Sequence, residues 1–210
     1  VQGDESIRVM LAIDHSGSMC TWHGSNDTEA PNDSTNQRIL AAHLFLDSLA
    51  ARSPGSELGI VRFVHSCTPA NVLDPLPVNS ASNVQTLHDE IHDARCRGAP
   101  DPYPGKMLSA ADTYQGCALW AAMQSLMDTQ QPADTRPQHI IILTDDGWVP
   151  VSGDIDPQEV LAEFNAAYAG DPYPVVHPVF MSRAGATSDT NLAAIADSTG
   201  GMFIPNATPD

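Results

Sequence analysis

The alternation of apolar strand-like runs with helical stretches is what most constrains the fold of this chain. Ile7 to Ile13, broken only by Arg8, and Ile140 to Leu143 read as buried strands, and Asp14 and Asp145 stand just beyond them. Runs that are apolar at nearly every position suit a parallel sheet covered on both faces. Between them, helical spacing of apolar residues predicts helices over Gln37–Ala51, Asn83–Ala94, Tyr114–Met127, Pro157–Tyr168 and Asn191–Ser198. In the first of these, Ile39, Leu40, His43, Leu44, Leu46 and Leu49 form the apolar face, with His43 expected to face the core. Further strands are expected over Leu58–Val64, Gln138–Thr144, Val175–Met181 and Met202–Ile204, and Val72–Val78, interrupted by prolines, reads as an edge strand. A polar loop covers Cys20 to Asn36 and an irregular one Arg95 to Asp112. The class implied is α/β: a Rossmann-like, doubly wound fold whose central sheet is mainly parallel with one antiparallel edge strand, helices lying on both faces. Ligands in such sheets gather beyond the carboxyl ends of the strands, at the point where strand order reverses.

Two aspartates at strand ends therefore matter. The first opens the sequence Asp14-His15-Ser16-Gly17-Ser18, in which a carboxylate and two hydroxyls alternate on a tight turn. Three hard oxygen donors leaving one strand tip suit a hard divalent cation, and Gly17 lets the turn close tightly enough for both serines to converge. The second closes Thr144-Asp145-Asp146-Gly147. A third element, Thr113-Tyr114-Gln115-Gly116-Cys117-Ala118-Leu119, places a threonine at the opening of a predicted helix.

These three elements, in this order, resemble the metal-ion-dependent adhesion site of von Willebrand factor A domains. Thr199-Gly200-Gly201-Met202-Phe203 resembles the turn into that family's last strand, so the resemblance spans essentially the whole chain. It implies a metal centre formed by Asp14, Ser16, Ser18, Thr113 and Asp145. Asp145 is taken ahead of Asp146 because it follows the strand directly, although the family usually reads Thr-Asp-Gly here. The resemblance implies direct ligation by the hydroxyls, ligation largely through water by Asp14 and Asp145, and Mg²⁺, or else Mn²⁺ or Ca²⁺, as the ion. Neutral hydroxyl donors leave such an ion electrophilic, with an open position for an Asp or Glu side chain of a partner protein or peptide. Trp22, His23, Asp146 and Trp148 flank this face and are candidate partner-binding residues. The alternation of the first motif turns His15 away from the ion.

The remaining features bound the setting. With 210 residues the chain is read as one domain, 1–210. Thr208-Pro209-Asp210 resembles the start of a further helix, so excision from a larger extracellular chain is expected, with the domain itself monomeric. The net charge is −17 and Lys106 is the sole lysine. That surface argues against nucleic acid, whose phosphates need a basic footprint, and against anionic lipid. It suits a secreted surface, adaptation to high salt, or calcium on exposed carboxylates. No apolar stretch reaches the length of a membrane span, so direct insertion is not expected. Four cysteines, Cys20, Cys67, Cys96 and Cys117, flank the metal-bearing loops and suggest two disulfides in an oxidising compartment, with three pairings open. No Gly-x-Ser-x-Gly, His-Glu-x-x-His or phosphate-loop motif occurs, and Ser16 and Ser18 are better ligands than nucleophiles, so an enzyme is not expected. The function expected is metal-dependent adhesion or protein recognition at a cell surface, as in a pilus adhesin. The alternative is a structural or assembly domain of a surface fibre, in which the metal holds loops.

Overall fold

The computed structural model describes residues 5–16, 19, 33, 36–64, 71–94, 114–145, 154–168, 173–181 and 190–205. Its elements run β1 (Arg8–Asp14), α1 (Gln37–Arg52), β2 (Glu57–Phe63), β3 (Asn71–Pro77), α2 (Ala81–Asp93), α3 (Gln115–Asp128), β4 (Gln138–Thr144), α4 (Pro157–Ala167), β5 (Val175–Phe180) and α5 (Thr190–Thr199). The sheet order is β3-β2-β1-β4-β5, with β1 parallel to both β2 and β4, β4 parallel to β5, and β3 antiparallel to β2. Beyond β5, Val179 forms a parallel bridge to Ile204. This is the doubly wound architecture expected, down to the single antiparallel strand at the edge.

The period of two in β1 divides its side chains between two cores. Val9, Leu11 and Ile13 pack with Ile39, Ala42, Leu46 and Leu49 of α1 and with Leu87 and Ile91 of α2. Met10 and Ala12 pack on the opposite face with residues of α3, α4 and α5, among them Ala118, Leu119, Phe164 and Ile195. A strand buried on both faces must be apolar throughout, which is why Ile7 to Ile13 carries no polar alternation. The exception, Arg8, is buried but paired: its Nε donates to Glu57 Oε2 at 3.0 Å, and its other nitrogens donate to Leu126 O and Thr129 Oγ1. Prolines 75 and 77 fall in β3, whose far side has no strand neighbour among the described residues.

The strand expected over Met202–Ile204 is reduced to the single bridge at Ile204, and two details of α1 also differ from expectation. Leu40 and Leu44, read as part of the apolar face of α1, are 52% and 58% exposed; the face that meets the sheet is Ile39, Ala42, Leu46 and Leu49. His43 does not face the core either: it is only part-buried and meets His88 of α2. At the other end of the chain, Gly200 adopts a left-handed φ of 75° immediately after α5. Glycine takes this conformation without strain, and it turns the chain back toward β5.

Candidate metal centre

In the order β2-β1-β4, the chain leaves β1 toward one side for β2 and returns to the other side for β4, so the switch point lies between β1 and β4. Ile13 and Leu143 are register partners there. The next residues, Asp14 and Thr144, are joined side chain to side chain, Thr144 Oγ1 donating to Asp14 Oδ2 at 2.8 Å. Asp145 follows at once and is buried, as are Asp14 and Ser16. The structure thus brings Asp14, Ser16 and Asp145 to the carboxyl ends of two adjacent strands. Ser18 and Thr113 lie outside the described residues, as do Trp22, His23, Asp146, Trp148, Cys20, Cys67 and Cys96.

Asp14 is held in one orientation from both sides. Its Oδ1 accepts the Ser16 backbone N–H at 2.8 Å, the Ser16 hydroxyl also bonds to the carboxylate, and Oδ2 takes the Thr144 hydroxyl. Thr144 is fixed in turn by Gln115 of α3, whose Nε2 donates to Thr144 Oγ1 at 2.9 Å. Burial pushes the Asp14 carboxyl above its ordinary range, while the hydrogen bonds from Ser16 and Thr144 and the charge of Arg38 oppose that push. Three hydrogen bonds do not exhaust the roughly four lone-pair positions of a carboxylate. Carboxylates and hydroxyls together form a hard donor set of the kind Mg²⁺ and Ca²⁺ take. The residues present therefore fit such an ion. Among the described residues, no group of three or more His, Cys, Asp or Glu could hold a metal by itself, so hydroxyl donors are needed to complete a site.

Three supports of this region were not visible in the sequence. The first is Arg38, fully buried at the start of α1. Its Nε donates to Asp14 O at 3.1 Å, its Nη1 pairs with Asp33 Oδ2, and its Nη2 donates to Ala94 O at 2.9 Å. The second is Asp33, whose carboxylate also accepts the backbone N–H groups of Gln37 and Arg38, capping α1 from outside the helix. The third is Asp154, which precedes α4. Its carboxylate accepts N–H groups of Gly116 and Cys117 and so supplies the cap that α3 lacks from its own N-cap residue, Tyr114. Burial raises the Asp154 carboxyl, opposed by these backbone donors. Gly116 is required by the same packing: a Cβ there would collide with the carbonyl oxygen of Ile155. Each support is a polar side chain reaching across the fold, and the only sequence signal was an Asp near a helix start.

His15 is part-buried, and its N–H donates to Phe63 O at 2.9 Å, extending the β1–β2 pairing by one residue. Cys117, in the first turn of α3, is disulfide-bonded. No helix among the described residues is long and apolar enough to cross a membrane.

No family model matches the sequence, and no curated protein matches it. Solved structures do. A pilus adhesin, SpaC from Lactobacillus rhamnosus GG, superposes with a TM-score of 0.59 at 14% identity, covering 100% of this chain and 29% of that one. Proximal thread matrix protein 1 from the mussel byssus, solved with a zinc-occupied MIDAS motif, gives 0.57 at 15% identity, covering 99% and 43%. An aerotolerance-related membrane protein from Bacteroides fragilis gives 0.55 at 15% identity, covering 95% and 91%. At these identities the likeness establishes a shared fold.

Proposed function

We propose that this chain is an extracellular, divalent-metal-dependent adhesion or assembly domain of the von Willebrand factor A type. The observation that carries the reading is the convergence of Asp14, Ser16 and Asp145, all buried, at the switch point of the sheet, with the Asp14 carboxylate fixed by Ser16 and Thr144. Ser18 and Thr113 complete the donor set by sequence pattern. Shared fold with a pilus adhesin and with a byssus matrix protein whose MIDAS motif holds zinc supports a surface role and a divalent ion. The disulfide at Cys117 supports an oxidising compartment.

In this reading a bound Mg²⁺, Mn²⁺ or Ca²⁺ supplies an electrophilic position for an Asp or Glu carboxylate of a protein or peptide partner. The chain's own residues provide orientation. Thr144 and Ser16 hold Asp14, Gln115 holds Thr144, and Asp154 holds the start of α3, just after Thr113. No catalytic role is proposed.

Calorimetry with Mg²⁺ and Mn²⁺ on the wild type, Asp14→Ala, Asp145→Ala and Asp146→Ala tests the site. Asp14→Ala and Asp145→Ala should lose binding, while Asp146→Ala should keep it. Unchanged affinity in Asp14→Ala sinks the assignment. Display of acidic peptides against their amide counterparts then tests the partner chemistry: capture should need the carboxylate and should vanish with EDTA.

A further inference from the structure

Helices α1 and α2 cover the same face of the sheet and run antiparallel, Arg38 reaching Ala94 O at one end of their contact and Asp47 meeting His88 farther along. Each helix carries a pair of metal-binding side chain types at a spacing of four: His43 and Asp47 on α1, His88 and His92 on α2. Residues four apart share a helix face. The two pairs meet. His43 Nδ1 lies 2.7 Å from His88 Nδ1, the ring centroids are 4.9 Å apart, and His88 Nε2 lies 3.0 Å from Asp47 Oδ1. His92 is near enough to His43 to disfavour its protonation, together with burial and His88, while Asp47 acts the other way. The cluster is open to solvent, with His88 25% and Asp47 62% exposed.

The tautomers follow from the partners. Asp47 accepts the proton on His88 Nε2, which leaves His88 Nδ1 as a lone pair. His43 must then supply the proton in the 2.7 Å contact. That proton stands where a metal ion would stand. We propose that His43 and His88 form a second divalent-metal site, selective for Zn²⁺ or a similar imidazole-preferring ion, with Asp47 as the carboxylate that orients His88. Imidazole donors favour zinc, copper and nickel over Mg²⁺ or Ca²⁺. A carboxylate fixing the far nitrogen of a ligating histidine is the usual outer support of such sites. Zn–N bonds of about 2.1 Å in tetrahedral geometry set the two Nδ1 atoms about 3.4 Å apart, so the rings separate by less than an ångström. On binding, His43 moves its proton from Nδ1 to Nε2, and no net proton is lost from the neutral pair. Among the described residues no three ligands converge, so water completes the coordination of this part-exposed pair. The overall charge of −17 favours any cation at this surface.

This inference is independent of the centre at the strand ends, and the experiment separates them. Zn²⁺ calorimetry and Co²⁺ visible absorption are run on the full chain as wild type, His43→Ala, His88→Ala, Asp14→Ala and His177→Ala, with melting curves in EDTA confirming that each variant folds. His43→Ala and His88→Ala should each remove one zinc-binding event while leaving Mg²⁺ binding unchanged. Asp47→Asn should weaken that event about 10–100-fold. Should either histidine variant fail to fold, Cu²⁺ electron paramagnetic resonance on the wild type should show hyperfine coupling to at least two imidazole nitrogens. A zinc isotherm unchanged in His88→Ala overturns the proposal. So does loss of all zinc binding in Asp14→Ala or in His177→Ala, or a copper signal without nitrogen coupling.

Discussion

At the scale of single residues, the centre depends on charges that the sequence places far apart. Arg38 is the strongest case. Its guanidinium is completely buried and reaches Asp14 O, Asp33 and Ala94 O, tying the exit of β1 to the start of α1 and the end of α2. Removing one member of a buried pair leaves the other charged and unsolvated, so Arg38→Ala should cost about 3–5 kcal/mol. Chemical denaturation would show this as a lower midpoint, and a double variant Arg38→Met/Asp33→Leu should recover much of the loss. Recovery relative to Arg38→Met alone, which has the same side chain at this position, would establish that the penalty is the orphaned carboxylate rather than the missing packing. Asp154 acts on the other side of the site. Losing an N-cap typically costs about 0.5–2 kcal/mol, so Asp154→Ala should lower stability by that amount. It should also weaken metal binding, because Gln115, which holds Thr144, sits at the helix start that Asp154 caps, and Thr113 precedes it in sequence. A variant that loses stability and keeps full metal affinity would mean the cap is purely structural.

At the scale of elements, the sequence was legible wherever burial is periodic. Strands β1 and β4 and the helices between them were placed within one or two residues, because a strand buried on both faces cannot be polar and an amphipathic helix must repeat near 3.6. Asp14 and Asp145 were legible for the same reason: a carboxylate that ends an apolar strand stands out. The failures have a physical cause too. The apolar face of α1 is read too wide because Leu40 and Leu44 are large and apolar yet exposed, while Ile39, Ala42, Leu46 and Leu49 are buried. Arg38, Asp33 and Asp154 were missed because their partners are tertiary neighbours, and polar residues near helix ends look alike whether capped locally or from across the fold. One element contact gives a pH prediction. His139 on β4 and His177 on β5 stack with Nδ1 and Nε2 at 3.1 Å, and the Met202 N–H donates to His177 Nδ1 at 3.1 Å. Burial, and for His139 also the charge of His177, lowers both histidines below their ordinary range. The folded state therefore binds fewer protons than the unfolded one near pH 6.5, so stability falls as pH drops through that value. Protonating His177 at Nδ1 also removes the acceptor for Met202. Hydrogen exchange at Met202 should accelerate between pH 7 and pH 5 beyond the intrinsic rate change, and His177→Gln should abolish that difference.

At the scale of the whole molecule, charge dominates. A net charge of −17 on 210 residues destabilises the compact state by self-repulsion at low ionic strength. Screening shortens that repulsion to about 8 Å at physiological salt. Melting temperature should therefore rise between 10 and about 150 mM NaCl, and partner capture through the metal should survive the same change; a melting curve insensitive to salt would show that the carboxylates are already neutralised by bound cations. The amino-terminal end of the sheet resists this repulsion with a local network. Arg136 bonds Asp134 and reaches Glu57 at 3.0 Å, and Glu57 in turn pairs with Arg8. The Arg136 hydrogen bonds hold the Asp134 carboxyl down to about 2, against a smaller upward push from burial. A depressed carboxylate stabilises the fold above its unfolded value near pH 4 and loses that contribution as pH falls toward 2. Asp134→Asn should flatten the acid limb of the stability curve in that interval, measured by denaturant midpoints at closely spaced pH.

The backbone N–H of Asp33 donates to Met19 O at 3.2 Å, and Arg38 clamps Asp33 from within the core. Met19 and Asp33, apart in sequence, are thus fastened directly to each other. Lengthening a stretch whose ends are already joined costs only about 0.6 kcal/mol for each doubling. Peptides inserted in sequence between Met19 and Asp33 should therefore cost the scaffold little, a point that melting curves of insertion variants would check. Lineages and protein engineers alike could exchange sequence in this interval while keeping the Met19–Asp33 fastening and the sheet.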